Sequence, residues 1–255
     1  MDPLFPFRLD DRVALVTGAS AGLGARFARV LDAAGARVVV AARRADRLAS
    51  LTADLHDALA VPCDLGDPAA PHALVQAALD HYGRIDVVVN NAGIGVPHPA
   101  TDQPMDEFRR VLTVNLEAPF EIAREAAKSM IAAGRPGSIV NIASIWGLVG
   151  VGVIHDAAYA ASKGAIVNLT RQLAAEWARK VVRVNTIAPA WFRSEMTEGS
   201  MFGDDDAEAW IRRSTPMGRA GDEHELDGAL LFLASDASSY VTGVTLPVDG
   251  GWTAV

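Results

Sequence analysis

Short runs rich in β-branched residues alternate with longer Ala- and Leu-rich stretches along this chain. The runs are "RVALVTG" from residue 12, "ARVVVAAR" from 36, "ALAVPCDL" from 58, "IDVVVNNAG" from 85, "GSIVNIAS" from 137, "VRVNTIAP" from 182 and "GVTLPVDGG" from 243. Their composition predicts strands, and the stretches between them predict helices. Because Val and Ile are nearly continuous in these runs, the strands are expected to be buried on both faces, as in a parallel sheet between helical layers. The expected fold is α/β, a Rossmann-type doubly wound fold with a parallel sheet of about seven strands and helices on both faces. No Pro/Ser-rich linker, composition shift or repeat divides the chain, so residues 1–255 are expected to form one dinucleotide-binding and catalytic domain. The least regular stretch, 191–215, follows a strand end and mixes bulky apolar residues with an acidic run; it is expected to form a substrate lid.

Half of the 255 residues are hydrophobic, enough for a substantial core. A formal charge of −8 and a pI near 5.2 argue against a nucleic-acid partner, which calls for a concentrated basic face. The single cysteine, Cys63, excludes an internal disulfide and a thiolate metal cluster. That usage points to a reducing compartment, with Cys63 as a small buried hydrophobe. The start "MDPLFPFRLDD" lacks the basic residues and apolar run of a signal peptide, and no window offers the ~20 apolar residues of a membrane span. A cytoplasmic location away from membranes is the expectation, and none of the six histidines forms a metal motif.

The chemistry begins at "VALVTGASAGLGARFARVL", which sets Gly18, Gly22 and Gly24 between a predicted strand and a predicted helix. Glycines there permit a tight turn and let a pyrophosphate approach the N–H groups at the positive end of the helix. The second strand ends in Ala41-Ala42-Arg43-Arg44, where an NAD-binding chain usually offers a carboxylate to the ribose hydroxyls. With two guanidiniums in place of an acid, NADP is expected as cofactor, with NAD as the other candidate. Further along, "YAASKGAIVNL" puts Tyr159 and Lys163 one helical turn apart, so both side chains reach one site. The pair alone fits either a surface contact or a phenol whose pKa Lys163 lowers into a useful range.

Taken together, "TGASAGLG" at 17–24, "CDL" at 63–65, "NNAG" at 90–93, "VNL" at 114–116, "NIAS" at 141–144, "YAASK" at 159–163, "VRVNTIAP" at 182–189 and the closing "VDGGW" occur in order. In this the sequence resembles the short-chain dehydrogenase/reductase family along nearly its whole length. The resemblance implies an oxidoreductase in which Tyr159 exchanges a proton with the substrate oxygen while a nicotinamide exchanges a hydride with the carbon. It also implies that Lys163 stabilises phenolate and holds the nicotinamide ribose, that Ser144 hydrogen-bonds the carbonyl oxygen, and that Asn115 anchors a water linking Lys163 to solvent. For the cofactor it implies contacts from Gly18, Ser20, Gly22, Leu23 and Gly24, from Arg43 and Arg44, and from Asp64 and Leu65 at the adenine. Asn91, Ala92 and Gly93 would pass beneath the ribose, and Pro189 and Ala190 would meet the nicotinamide beside Tyr159 and Lys163. A homotetramer is implied in the same way, and the apolar C-terminal strand and tail fit burial against neighbouring subunits.

Three departures from the family pattern stand out. Ala190 replaces the glycine that usually follows the proline, which puts its nicotinamide contact in question. Val181 stands where many relatives have glycine, so a different helix exit or some lost stability is expected. The segment between Ser144 and Tyr159 is a little longer than is common. Candidate substrate contacts besides Ser144 and Tyr159 are Trp146, Val153, His155, Trp191, Met196 and Phe202, with Val151, Ile154 and Met201 as neighbours. Their apolar bulk favours a hydrophobic ketone or secondary alcohol over a sugar or an anion, although the same side chains are equally suited to packing the lid on the body. Alternatives are a 3-oxoacyl-thioester reductase acting on acyl-carrier-protein or CoA esters, for which Arg135, Arg179 and Lys180 make a thin basic patch, and a non-catalytic nucleotide-binding regulatory module. An epimerase or dehydratase would need further acids or bases near the substrate carbon, and none can be placed from the sequence.

Overall fold

The structure, a computed structural model, describes residues 3–152, 154–195, 197–198 and 201–255. Seven strands form one parallel sheet: β1 (Val13–Thr17), β2 (Arg37–Ala42), β3 (Ala58–Pro62), β4 (Val87–Asn90), β5 (Gly137–Ile142), β6 (Val182–Pro189) and β7 (Thr245–Val248). Their order across the sheet is β3-β2-β1-β4-β5-β6-β7. Helices α1 (Gly22–Ala33), α2 (Ala45–Ala53), α3 (Ala70–Tyr82), α4 (Met105–Leu112), α5 (Ala118–Ala132), α6 (Ala157–Trp177), α7 (Asp205–Ser214) and α8 (Asp227–Ala234) connect them. None of the described helices is long and apolar enough to cross a membrane.

The continuous apolar runs have the anticipated consequence, because successive side chains of a strand leave the sheet on opposite faces. Ala14, Val16, Val38, Val40, Val87 and Val89 pack with Phe27 and Leu31 of α1 and Leu230 and Leu233 of α8. Val13, Leu15, Val39 and Val88 pack on the other face with Leu74 of α3, Ile122 and Met130 of α5 and Leu173 of α6. Every residue of β1, β4 and β5 is buried. Winding runs one way from β1 to β3, then reverses at β4, which returns to the other side of β1. The crevice at the carboxyl ends of β1 and β4 is therefore the switch point at which such sheets bind ligands.

Two local expectations are revised. Val181 does not change the helix exit: it adopts the left-handed conformation itself, with φ 59° and ψ 22°, and its carbonyl accepts the Gly137 N–H at 3.0 Å. The acidic run of 191–215 is a helix start. Asp204 caps α7 by accepting the Ala207 N–H at 2.8 Å, Asp205, Asp206 and Glu208 lie in its first turn, and Arg212 and Arg213 lie in its last. That order matches acid to the positive end of the helix and base to the negative end. Cys63 is partly buried against the second apolar layer, and burial pushes its thiol up to about 11, as suits a packing residue.

Candidate active site

The carboxyl edge of the sheet opens onto a cavity of about 440 Å³. Its floor is the glycine-rich turn between β1 and α1. Gly18 has φ 69° and Gly22 φ 50°, conformations that favour glycine. A Cβ on Gly18 would lie 2.8 Å from Asn91 Nδ2, and one on Gly24 would lie 2.3 Å from the Gly18 carbonyl oxygen. The residue before α1, Ala21, supplies no side-chain cap, which leaves the first N–H groups of the helix to a ligand. A close-packed glycine cradle at an uncapped helix start has the shape and polarity that a dinucleotide pyrophosphate requires.

The remaining walls come from the ends of the other strands. Ser20, Leu23, Arg43 and Arg44 line the cavity beside the cradle, with Asp64 and Leu65 after β3 and Asn91, Ala92 and Gly93 after β4. Asp64 turns back to accept the Gly66 N–H at 3.0 Å. Asn91 Nδ2 donates to the Thr17 carbonyl at 2.9 Å, and Thr17 Oγ1 accepts the N–H groups of Asn91 and Ala92 at 3.1 and 3.0 Å. Thr17 is thus a clamp between β1 and the loop after β4 that the sequence reading did not single out; its signal is a hydroxyl closing the strand before the glycines. Pro189 and Ala190 complete the rim. Ala190 has an ordinary backbone and donates its N–H to Val248 at 3.2 Å, so the extra methyl is accommodated without strain.

Ser144, Tyr159 and Lys163 meet at the inner end of the same cavity. Ser144 follows β5, hydrogen-bonds the Tyr159 phenol and accepts the Trp146 N–H at 3.2 Å. Tyr159 and Lys163 lie in the first turns of α6, whose cap is Asp156; its carboxylate accepts the Tyr159 N–H at 3.0 Å and a second N–H from Val96. Lys163 is 4 % exposed, donates from Nζ to the Ile142 carbonyl at 2.8 Å and lies 5.4 Å from the centre of the Tyr159 ring. Burial pushes Lys163 down to about 8 and pushes Tyr159 up to about 12, against the opposing hydrogen bond from Ser144. The expectation that Lys163 lowers Tyr159 into a useful range is not met: burial of the phenol dominates, and the opposing cause is Ser144.

Asn115 sits in a π-helical turn, Thr113–Glu117, between α4 and α5. It is 1 % exposed and stands behind the cavity wall, where Oδ1 accepts the Ile94 N–H and Nδ2 donates to the Ile94 carbonyl, both at 2.8 Å. Nδ2 also reaches Ser162 Oγ at 3.0 Å on the helix that carries Tyr159. A Cβ on Gly93 would lie 3.4 Å from both Asn115 Oδ1 and Lys163 Nζ, so the small gap at Gly93 separates the two polar groups.

The substrate-side candidates divide. The Trp146 ring lies 5.7 Å from that of Tyr159, edge to face, and also packs against the apolar cluster beside it. Trp191 and Phe202 are 5 % and 2 % exposed and belong to an apolar cluster with Ile145 and Ile211, packed by Ile154, Met201, Trp210 and Trp252. Trp191 stacks edge-on with Trp210 at 5.3 Å and lines a separate cavity of about 200 Å³. These side chains fasten the 191–215 segment to the body and do not line the main cavity. His155 is exposed and also lies off it. Val153 and Met196 lie outside the described residues.

Four cavity-lining residues of that segment, Phe192, Ser194, Glu195 and Thr197, were absent from the sequence reading. Glu195 is paired with Arg44 and Arg47. The only hint in the sequence is an acid between two apolar stretches. Among the described residues there is no cluster of His, Cys, Asp or Glu able to hold a metal ion.

A family model described as Enoyl-(Acyl carrier protein) reductase matches residues 18–253. The galactitol 2-dehydrogenase (L-tagatose-forming) of Cereibacter sphaeroides is 40% identical over 255 residues, spanning 99% of both proteins. The cis-4-hydroxycyclohexanecarboxylate dehydrogenase of Sinomonas cyclohexanicum is 39% identical over 249 residues, spanning 96% of this chain and 98% of that protein. Among solved structures, a gluconate 5-dehydrogenase from Burkholderia cenocepacia J2315 in complex with NADP and tartrate superposes with a TM-score of 0.93 at 37% identity, covering 99% of both chains.

Proposed function

The chain belongs to the short-chain dehydrogenase/reductase family, and from that membership we propose that it interconverts a ketone and a secondary alcohol with NADP(H), Tyr159 exchanging the proton. The observation that carries this reading is a single cavity lined together by a glycine cradle, two guanidiniums and the Ser144–Tyr159–Lys163 group. When bound, the nicotinamide supplies or accepts the hydride.

The chain's own residues account for the rest. At neutral pH Tyr159 is a neutral phenol able to donate its proton to a carbonyl oxygen, and Ser144 beside it offers a hydroxyl to the same oxygen as negative charge develops. Lys163 is predominantly protonated below about 8 and stabilises the phenolate left behind. Asn115 ties the loop after β4 to α6, and a water lodged at the Ile94 carbonyl would connect Lys163 with solvent through the gap at Gly93. Arg43 and Arg44 favour a 2′-phosphate over an unsubstituted ribose. NADP in the gluconate 5-dehydrogenase complex supports the same choice.

The substrate is a secondary alcohol or its ketone with an apolar face. Relatives are named for an open-chain polyol and for a hydroxylated cyclohexane acid, and Trp146 offers an aromatic wall next to Tyr159. A thioester reductase of carrier proteins is not favoured. Arg135, Arg179 and Lys180 precede β5 and β6 at the amino edge of the sheet, opposite the cavity. An epimerase or dehydratase lacks its extra acid, because the Asp156 carboxylate is committed to the Tyr159 and Val96 N–H groups. We further infer one domain with a lid at 191–215, a homotetramer, and a cytoplasmic location in keeping with the lone Cys63.

The test is Tyr159→Phe. Turnover of a cyclic secondary alcohol with NADP should fall by about 10²–10⁴-fold, while NADPH still binds and quenches tryptophan emission. Wild-type turnover in this variant would remove Tyr159 from the chemistry.

A further inference from the structure

Arg44 is placed to receive a cofactor phosphate, yet its donors are already engaged. Its Nε and Nη2 donate to Ser20 Oγ at 3.1 and 2.9 Å. Its Nη1 and Nη2 donate to the two carboxylate oxygens of Glu195 at 3.1 and 2.7 Å, a bidentate pair spanning 151 positions of sequence. Arg47, one turn along α2, donates to the same carboxylate. Arg43, by contrast, lines the cavity and makes no hydrogen bond or ion pair with another described residue.

Glu195 therefore offers these two guanidiniums what a phosphate monoester offers: an anion with oxygens spaced for a bidentate fork. It sits on the rim of the cavity, next to Ser194, whose Cβ lies 3.5 Å from where a Cβ on Gly22 would be. The geometry points to Glu195 as a specificity-determining residue for the cofactor: its carboxylate holds Arg44 and Arg47 in the place of a 2′-phosphate, so that NADP(H) must displace it and NAD(H) need not. This rests on the NADP reading of Arg43 and Arg44. It adds that the chain carries an internal competitor that moderates NADP(H) affinity.

Charge and geometry give the reason in both directions. With Glu195 in place, its single carboxylate offsets half of the positive charge of Arg44 and Arg47, and an incoming phosphate meets a like charge. Once Glu195 is neutral, both guanidiniums are available. The two guanidiniums hold the Glu195 carboxyl down at about 2, so the competitor stays charged across the physiological range. Both partners are substantially exposed, with Arg44 and Glu195 side chains 39% and 53% accessible. The effect is consequently modest and screened by salt.

The experiment is calorimetric and independent of turnover: titrate wild type, Glu195→Gln and Glu195→Ala with adenosine 2′,5′-bisphosphate and with 5′-AMP. Thermal melts serve to check that each variant is folded. Both substitutions should tighten the bisphosphate about three- to tenfold, leave 5′-AMP unchanged, and lose most of this gain at high salt or in an Arg44→Ala background. Unchanged or weakened bisphosphate binding in the Glu195 variants would overturn the proposal. The wild-type ratio of the two ligands judges the NADP reading separately. A wild type that gains nothing from the 2′-phosphate, beside a Glu195→Gln protein that does, would uphold the role of Glu195 while rejecting NADP as the preferred cofactor.

Discussion

Lys163 shows how the site draws on the stability of the fold. Its ammonium is buried against the Ile142 carbonyl and the Tyr159 ring, and burial lowers its pKa from 10.5 to about 8. Between these two values the unfolded chain holds a proton that the folded chain lacks, so stability rises with pH across that window. The cost of the buried charge is accordingly full below about 8 and fades toward 10.5. Lys163→Met removes that cost together with one hydrogen bond. It should stabilise the protein by about 2 kcal/mol at pH 7, lose that advantage by pH 10.5, and abolish turnover. Denaturant midpoints of both proteins across this pH range check the point, and a difference independent of pH would trace any gain to packing. A polar group retained at a cost to stability is expected where chemistry, not folding, selects it.

At the scale of elements, Val181 is the place where local preference and fold disagree. A β-branched residue in the left-handed region costs on the order of 1–3 kcal/mol, part of which glycine would return as unfolded-chain entropy. Val181→Gly should raise stability by about 1 kcal/mol and the melting temperature by about 2–4 °C, read by calorimetry. An unchanged melting temperature would mean that the exit from α6 carries no strain. The same comparison shows what was legible beforehand. Strand runs declared themselves because burial on both faces demands continuous Val and Ile, and the glycine turn did so because close backbone approach admits nothing larger. Ser144, Tyr159 and Lys163 were readable as a set because the order of motifs fixes which strand and helix ends converge. Trp191 and Phe202 were not, since bulky residues in an aperiodic loop look alike whether they face a ligand or the core. Glu195 was harder still: its pairing with Arg44 and Arg47 joins segments about 150 positions apart through a loop whose path no local pattern specifies.

At the scale of the whole molecule, the open question is what covers the β7 side of the sheet. β3 and β7 are the two edges, and β7 leaves one row of N–H and C=O groups without a strand partner. Thr245, Leu246 and Val248 are only partly buried, Val244 is 38% exposed, and Tyr240 and Val255 are almost fully exposed. Apolar side chains on an open edge invite pairing with another chain, and proteins cover such edges or guard them with charge. Between Tyr240 and Val255 the only ionisable side chains are those of Tyr240 itself and Asp249, and the Asp249 carboxylate is held by Thr253 and Gly251. The formal charge of −8 therefore does little to keep copies apart at this edge. The homotetramer proposed above would bury the C-terminal strand, and this partly apolar edge is the surface that supports it. Sedimentation at micromolar concentration should give a tetramer, and amide exchange at Thr245–Val248 should quicken on dilution. A clean monomer at that concentration, or exchange at β7 indifferent to concentration, would mean that the edge is exposed in solution and that the tetramer does not form through it.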